Sequence, residues 1–378
     1  MRAISYAAFG GTPELVELPD PVAPPGGAVV RVHATGVCRS DWHAWQGHDD
    51  SVILPHVPGH EFAGVVEQVS PEVTRFAPGD RVTAPFILAC GRCAQCRAGA
   101  GQVCPQQRQP GFDLPGSYAE RVVVTEADHN LVALPAGMDM VAAAGLGCRF
   151  GTAYHAVHAQ ARLRAGETLV VFGCGGVGLS VIQIAVAAGV EVIAVDVSAA
   201  ALGAARELGA SIVPAGPEAP ARVRALTGDG AHVSVDALGS AATAAAAISC
   251  LRPRGRHIQV GLLLGADADP PLPMGRVIGQ ELQILGSHGL PVAEYAALLA
   301  DIAAGRLDPQ RAVGAVIGLE DLPEALAGMG AGAGGAGMTV ARLAPGPPPS
   351  LTPPEPRGAH VGAPVTAVRA SARLENWL

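Results

Sequence analysis

Leu169-Val170-Val171-Phe172-Gly173-Cys174-Gly175-Gly176-Val177-Gly178 is a short apolar, β-prone run that breaks into glycine and resumes at Leu179 with an uncharged helical pattern. A lone G-x-G-x-x-G says little. Here, however, Gly173, Gly175, Gly176 and Gly178 stand between a strand and a helix. The next apolar run, Val192-Ile193-Ala194-Val195, ends on Asp196, and its interval from Gly173 fits the roughly 20 residues expected between turn and acid in a dinucleotide-binding βαβ unit. Glycines let backbone N–H groups approach a pyrophosphate, and the helix N-terminus adds partial positive charge. Asp196 can accept hydrogen bonds from ribose hydroxyls and would repel a 2′-phosphate, so the cofactor expected is NAD rather than NADP. The alternative is a glycine-rich turn followed by a chance aspartate. Cys174 is most simply a small residue in that turn.

Outward from this unit the texture of the chain divides. Leu169–Phe172, Val192–Val195, Val233–Asp236, His257–Val260 and Leu282–Leu285 are short β-rich runs, the first three followed by alanine-rich helical segments. That alternation predicts a doubly wound parallel sheet over 151–285. From Met1 to about Leu134, apolar runs such as Val29–Val32, Gly64–Val69, Asp80–Thr83 and Tyr118–Val124 are separated by Pro, Gly and Asp, which predicts an all-β lobe over 1–150. A helix from Pro291 to about Ala304 and further short strands, in 286–343, return to that lobe. Gly328 to Gly337 is mostly Gly and Ala and reads as a loop; 344–378 is proline-rich and polar and reads as a disordered tail.

With 378 residues the chain can form two domains, each with a core. Hydrophobic residues make up 49% and aromatics 4%, so those cores are built from Val, Leu, Ile and Ala. A net charge of −8 without basic clusters argues against a nucleic-acid partner. Lysine is absent, which removes Schiff-base chemistry, lysine general bases and Walker-type phosphate loops. Thr168 to Val190 carries no charge and is long enough to cross a bilayer, yet its five glycines and its split into two patterns favour a buried strand–turn–helix. No membrane partner is expected. The N-terminus lacks a signal-peptide pattern, and free thiolates suited to metal place the protein in a reducing cytoplasm.

Four of the eight cysteines, Cys90, Cys93, Cys96 and Cys104, fall within fifteen residues. That spacing suits a closed tetrahedral zinc site that holds a lobe together; a disulfide pair is the alternative. A catalytic metal must then lie elsewhere. Cys38 lies in Gly36-Val37-Cys38-Arg39-Ser40-Asp41-Trp42-His43, and His60-Glu61 in Pro58-Gly59-His60-Glu61-Phe62-Ala63-Gly64. Cys148, in a glycine-flanked turn at the domain boundary, is the candidate third ligand, whereas Cys250 reads as a core thiol. Three protein ligands and one open position describe a catalytic zinc.

These motifs occur together and in order, and over residues 1–343 the chain resembles the zinc-dependent alcohol dehydrogenases of the medium-chain dehydrogenase/reductase family. The resemblance implies an α/β architecture with a GroES-like β-rich catalytic domain plus a Rossmann-type doubly wound parallel sheet. It implies that Cys38, His60 and Cys148 ligate the catalytic zinc and that Glu61 stands close to that metal. Cys90, Cys93, Cys96 and Cys104 match the structural site, giving two Zn2+ per subunit. Asp41 matches an acid that orients the ligating histidine, the alternative being a loop-capping aspartate. Ser40 matches the hydroxyl that receives the alcohol proton, and His43 the histidine that passes it to solvent; a plain surface histidine is the alternative. Arg39 matches a pyrophosphate ligand, while Thr152 and Val177 match positions packed against the nicotinamide. Phe86 matches a wall of the substrate channel, which Trp42, Trp45, His48 and Phe112 either line or merely pack beside.

The activity implied is reversible oxidation of primary or secondary alcohols by hydride transfer to NAD, in a homo-oligomer (tetramer or dimer). A polyol, an amino alcohol such as threonine, or a formaldehyde adduct is the alternative substrate class. A zinc-free reductase of the same fold is disfavoured by the full ligand set, and a non-enzymatic scaffold by the open metal site. One departure concerns the cofactor: many NAD-using relatives carry a lysine five residues after the ribose-binding acid, where this chain has Ala201, so NAD affinity is weaker or Arg206 substitutes.

Overall fold

The computed structural model describes residues 1–331 and 335–343. The expected tail, 344–378, lies outside the described residues, as do 332–334.

Six parallel strands form one sheet in the order Ser211–Pro214, Glu191–Asp196, Thr168–Phe172, Ala231–Asp236, Leu251–Gln259, Gln283–Gly286. Numbered along the chain this is 3-2-1-4-5-6, the doubly wound order, whose switch point falls between Thr168–Phe172 and Ala231–Asp236. A crevice for a ligand is expected beyond the carboxyl ends of those two strands, where the glycine turn sits. Helices Gly176–Ala187, Ala199–Glu207 and Ala241–Ser249 follow the first, second and fourth strands. The uncharged run 168–190 is thus divided, with Leu169 to Phe172 and Gly178 to Ala185 all buried. Among the described residues, no helix is long and apolar enough to cross a membrane.

The other large sheet has seven strands, six on its main path and Arg121–Val124 beside it, and is built around Ala28–Val37, of which only Arg31 faces water. This strand pairs antiparallel with Phe62–Val69, Arg121–Val124 and Met338–Arg342, which explains why nearly every position on it is buried. Met338–Arg342 also pairs with Val313–Ile317, so the last described strand closes onto the first lobe. Helix Arg149–His155 packs against Gly176–Ala187, and one apolar cluster runs from Ala34, Ala63 and Val340 through Phe150 to Leu169 and Val171. The two lobes therefore share a core, and the chain crosses between them at Cys148–Arg149.

Element boundaries differ from expectation in a few places. His257–Val260 is the end of a longer strand, Leu251–Gln259, and Leu282–Leu285 is displaced by one residue to Gln283–Gly286. The edge strand Ser211–Pro214 and the hairpin Arg2–Ser5 with Glu14–Glu17 were not anticipated.

Candidate active site and cofactor turn

Three segments far apart in sequence converge on one point. Cys38 caps helix Arg39–Trp45, His60 precedes strand Phe62–Val69, and Cys148 caps helix Arg149–His155. Their ligand atoms all lie within 4.8 Å of one another. His60 is 1% exposed, Cys38 6% and Cys148 9%. His60 Nδ1 donates to Asp41 Oδ1 at 2.7 Å, whereas His60 Nε2 is buried and has no hydrogen-bond partner. That tautomer leaves the Nε2 lone pair aimed among two sulfurs, and a buried acceptor without a donor calls for a cation. The Cys148 thiol, against the cost of burial and with His60 beside it, holds the Cys38 pKa well below the ordinary thiol range. Burial opposes charge on His60, yet Asp41 and then Cys38 raise its pKa well above the usual value. A positive charge is favoured between these groups, and the donor set of one imidazole and two thiols fits zinc.

Asp41 is fully buried and takes four donors: His60 Nδ1, Gly59 N at 3.1 Å, Cys38 N at 3.1 Å and Tyr118 OH at 3.3 Å. It both caps the helix and orients the imidazole, so the two sequence-level alternatives describe one side chain. Glu61, next to His60, spends both carboxylate oxygens on Arg149.

The dinucleotide turn is as tight as its glycines imply. Gly173 has φ +88°, and a Cβ on Gly178 would fall 1.8 Å from Gly173 O, so the helix can begin there only without a side chain. Nothing lies within 4 Å of the space a Cβ on Gly175 would fill, which leaves backbone open to a ligand at the start of helix Gly176–Ala187. Asp196 Oδ2 accepts from Cys174 N at 2.6 Å and Oδ1 from Ser198 N at 2.8 Å, tying the acid to the turn it serves. Cys174 is fully buried, and burial lifts its pKa to about 12, in keeping with a packing residue. Thr152 Oγ1 is buried without a partner, and Val177 packs on the main core. Ala201 is buried, and Arg206 is exposed in the last turn of helix Ala199–Glu207.

The four clustered cysteines also meet. Sulfur separations are 3.4 Å for Cys93–Cys96, 3.8 Å for Cys93–Cys104 and 3.9 Å for Cys90–Cys96. Four sulfurs each about 2.3 Å from a tetrahedral zinc sit about 3.8 Å apart, whereas a disulfide requires about 2.05 Å. All eight cysteines are free. Backbone N–H groups of Cys90, Cys96 and Gln106 point at the sulfurs of Cys104, Cys93 and Cys104, as suits thiolates.

Residues 24–136 match the family model described as the alcohol dehydrogenase GroES-like domain, and 176–304 match the zinc-binding dehydrogenase model. A protein named NAD-dependent alcohol dehydrogenase from Sulfurisphaera tokodaii is 33% identical over 339 residues, covering 86% of this chain and 95% of that one. The chain belongs to the zinc-binding alcohol dehydrogenase family. The solved alcohol dehydrogenase from Thermus sp. ATN1 superposes with a TM-score of 0.83 at 31% identity, over 91% of this chain and 100% of the other. Family membership does not single out a substrate: a sorbitol dehydrogenase from Halalkalibacterium halodurans is 32% identical over 305 residues, 78% of this chain and 86% of that protein.

Around the Cys38–His60–Cys148 cluster of this dehydrogenase the walls are aromatic. Phe86 stacks edge-on to His60 with centroids 5.8 Å apart, Phe112 lies 5.5 Å from the same ring, and His288 lies 5.3 Å from Phe86. Phe86 and Ile87 form one buried apolar cluster with Cys38 and Cys148. A cleft of about 420 Å³ opens alongside, lined by Gln102, Val260, Gly261, Ser287 and His288 at the carboxyl ends of the last two parallel strands. Trp45 sits behind this wall: its indole donates to Gly11 O at 2.7 Å, and it packs in one cluster with Ile4, Tyr6, Val37 and Phe112.

Ser40 Oγ lies 3.9 Å from Cys38 Sγ. His43 Nδ1 lies 3.0 Å from His48 Nδ1, so one imidazole donates to the other, and His48 is exposed. Burial, then Arg39 and His48, lower the His43 pKa to about 4, which keeps it neutral and able to accept a proton. Arg39 stacks over Trp42 at 4.5 Å and donates to Met329 O at 2.7 Å. Sequence reasoning passed over Arg149 and His288 and gave His48 only a place along the channel. The one local signal for Arg149 is its position directly after Cys148; nothing local marks His288 or the pairing of His48 with His43.

Proposed function

We propose that this chain is an NAD-linked alcohol dehydrogenase with two zinc ions per chain, acting reversibly on primary and secondary alcohols of largely apolar character. The observation that carries the proposal is the buried Cys38–His60–Cys148 cluster, with its unpartnered imidazole nitrogen, in a chain whose glycine turn stands at the sheet's switch point. Zinc, when bound there, supplies a Lewis acid that makes an alcohol hydroxyl far more acidic. Asp41 fixes the tautomer and orientation of His60. Phe86, Phe112 and Ile87 form walls that exclude water and favour aliphatic or aromatic alcohols over polyols. Ser40, 3.9 Å from Cys38 Sγ, is the hydroxyl that exchanges the substrate proton, and the neutral His43 with exposed His48, 3.0 Å apart, form its exit to solvent. Net reaction removes a proton and a hydride from the alcohol, giving aldehyde or ketone, NADH and a free proton.

Asp196 supports NAD over NADP, because its carboxylate faces the place a 2′-phosphate would occupy in such folds. Free cysteines support a cytoplasmic location, and the Gln283–Gly286 edge of the parallel sheet, unpaired among the described residues, supports a homo-oligomer. NADH formation across an alcohol panel tests the reading: simple alcohols should respond with NAD and much less with NADP. A response confined to sorbitol or threonine would overturn the substrate class.

A further inference from the structure

Arg149 follows Cys148, and Glu61 follows His60. Two members of the metal-ligand cluster are thus each one peptide bond from a partner in a single ion pair. That pair is enclosed, with Arg149 5% and Glu61 0% exposed. Glu61 Oε2 receives Arg149 Nη2 at 2.6 Å and Nε at 2.8 Å; Oε1 receives Nε at 3.1 Å and the Arg149 backbone N at 2.9 Å. Nη2 also donates to Thr339 O at 3.3 Å, two residues from Gly337, which bridges to Gly175 of the dinucleotide turn. The side chain presses on that turn directly. A Cβ on Gly176 would lie 2.8 Å from Arg149 Cδ and 3.3 Å from Nη1, and one on Gly36 would lie 2.1 Å from Glu61 Oε2. Fold stability is a poor explanation for such a pair, since apolar replacements of similar volume are often neutral or stabilising.

We propose that Arg149 is a positioning residue that couples the metal centre to the dinucleotide turn, holding Glu61 off the metal while bracing the backbone at Gly175–Gly176. This rests on the reading of Cys38, His60 and Cys148 as zinc ligands. Because coupling of this kind is reciprocal, metal occupancy alters affinity at the turn by the factor by which a ligand at the turn alters metal affinity. Glu61 is the movable part: released from the guanidinium, its carboxylate is one residue from His60 and free to approach the cation.

Cobalt-substituted protein titrated with ADP-ribose tests the coupling, since that probe fills the turn without a nicotinamide ring. In the wild type, ADP-ribose should shift the visible cobalt bands, and its affinity should differ by about fivefold or more between metal-loaded and metal-free protein. The double variant Arg149→Met/Glu61→Gln removes both charges at similar volume. It should still bind cobalt and ADP-ribose but lose the spectral shift, with the affinity difference falling to about twofold or less. Arg149→Lys keeps the charge without the fork, so it should retain less than about half of the shift. If the double variant responds like the wild type, or, should it not fold, if Arg149→Lys does, the proposal is overturned. Cobalt bands that Cys148→Ser leaves unchanged would instead sink the metal-site reading itself.

Discussion

A single carboxylate with four donors, Asp41, shows how the site is assembled residue by residue: it starts a helix, fixes a loop and sets an imidazole tautomer at once. Under the proposed function, roles divide between ligands and relay. Cys38→Ser should abolish turnover and lower bound zinc, whereas His43→Ala should cost about 10²-fold or less in kcat, with zinc content unchanged. Equal losses in the two variants would contradict that division. The depressed pKa of His43 also has a consequence for stability. The unfolded chain takes up its proton near pH 6.5 and the folded chain only near pH 4, so stability is lost as pH falls between those values. Urea unfolding should show the wild type losing about 1 kcal/mol more than His43→Asn over that interval, after allowance for solvent screening of a half-buried ring. Asp196→Ala should raise the NAD KM about tenfold with a smaller change in kcat; a rise of twofold or less, measured against NAD, would remove its ribose role. The four-cysteine run, the turn glycines and Asp196 stood out by their spacing, whereas Cys38, His60 and Cys148 were named together through the family resemblance. Arg149 was not, because its partner Glu61 lies 88 residues away and nothing near it signals burial.

At the level of elements, five of the six parallel strands could be read from apolar runs; Thr168–Phe172, Glu191–Asp196 and Ala231–Asp236, buried along most of their length, leave the continuous signature of a strand covered on both faces. Ser211–Pro214 escaped notice: it is four residues long, ends in proline and lies at the sheet edge with only Val213 buried. Leu251–Gln259 was seen only at its end because Arg252, Pro253 and Arg254 interrupt the apolar pattern where the strand is exposed. Helical position alone likewise could not show that the Trp45 indole is bonded to Gly11 O and packed with Phe112. The strand–turn–helix unit makes its own prediction. Gly178→Ala must displace Gly173 O, so we expect a loss of at least about 2 kcal/mol in unfolding free energy, together with loss of NADH binding by fluorescence titration. In the four-cysteine lobe, Cys96→Ser should lower the melting temperature while NADH affinity of the folded fraction stays unchanged.

For the molecule as a whole, the two lobes share a core and meet at Cys148–Arg149, so the Cys38–His60–Cys148 cluster, the glycine turn and Phe86 lie along one seam. Gln283–Gly286 ends the parallel sheet with an unpaired edge among the described residues, and Met274, Ile278 and Ile284 are exposed nearby. Light scattering should accordingly report a mass of two or four chains, and Ile278→Asp should reduce it. The most direct test of the whole account is the zinc content of the purified protein by elemental analysis, wild type beside Cys148→Ser. Two zinc ions per chain falling to one in the variant is the result predicted; one per chain in the wild type, or no loss in the variant, would contradict it.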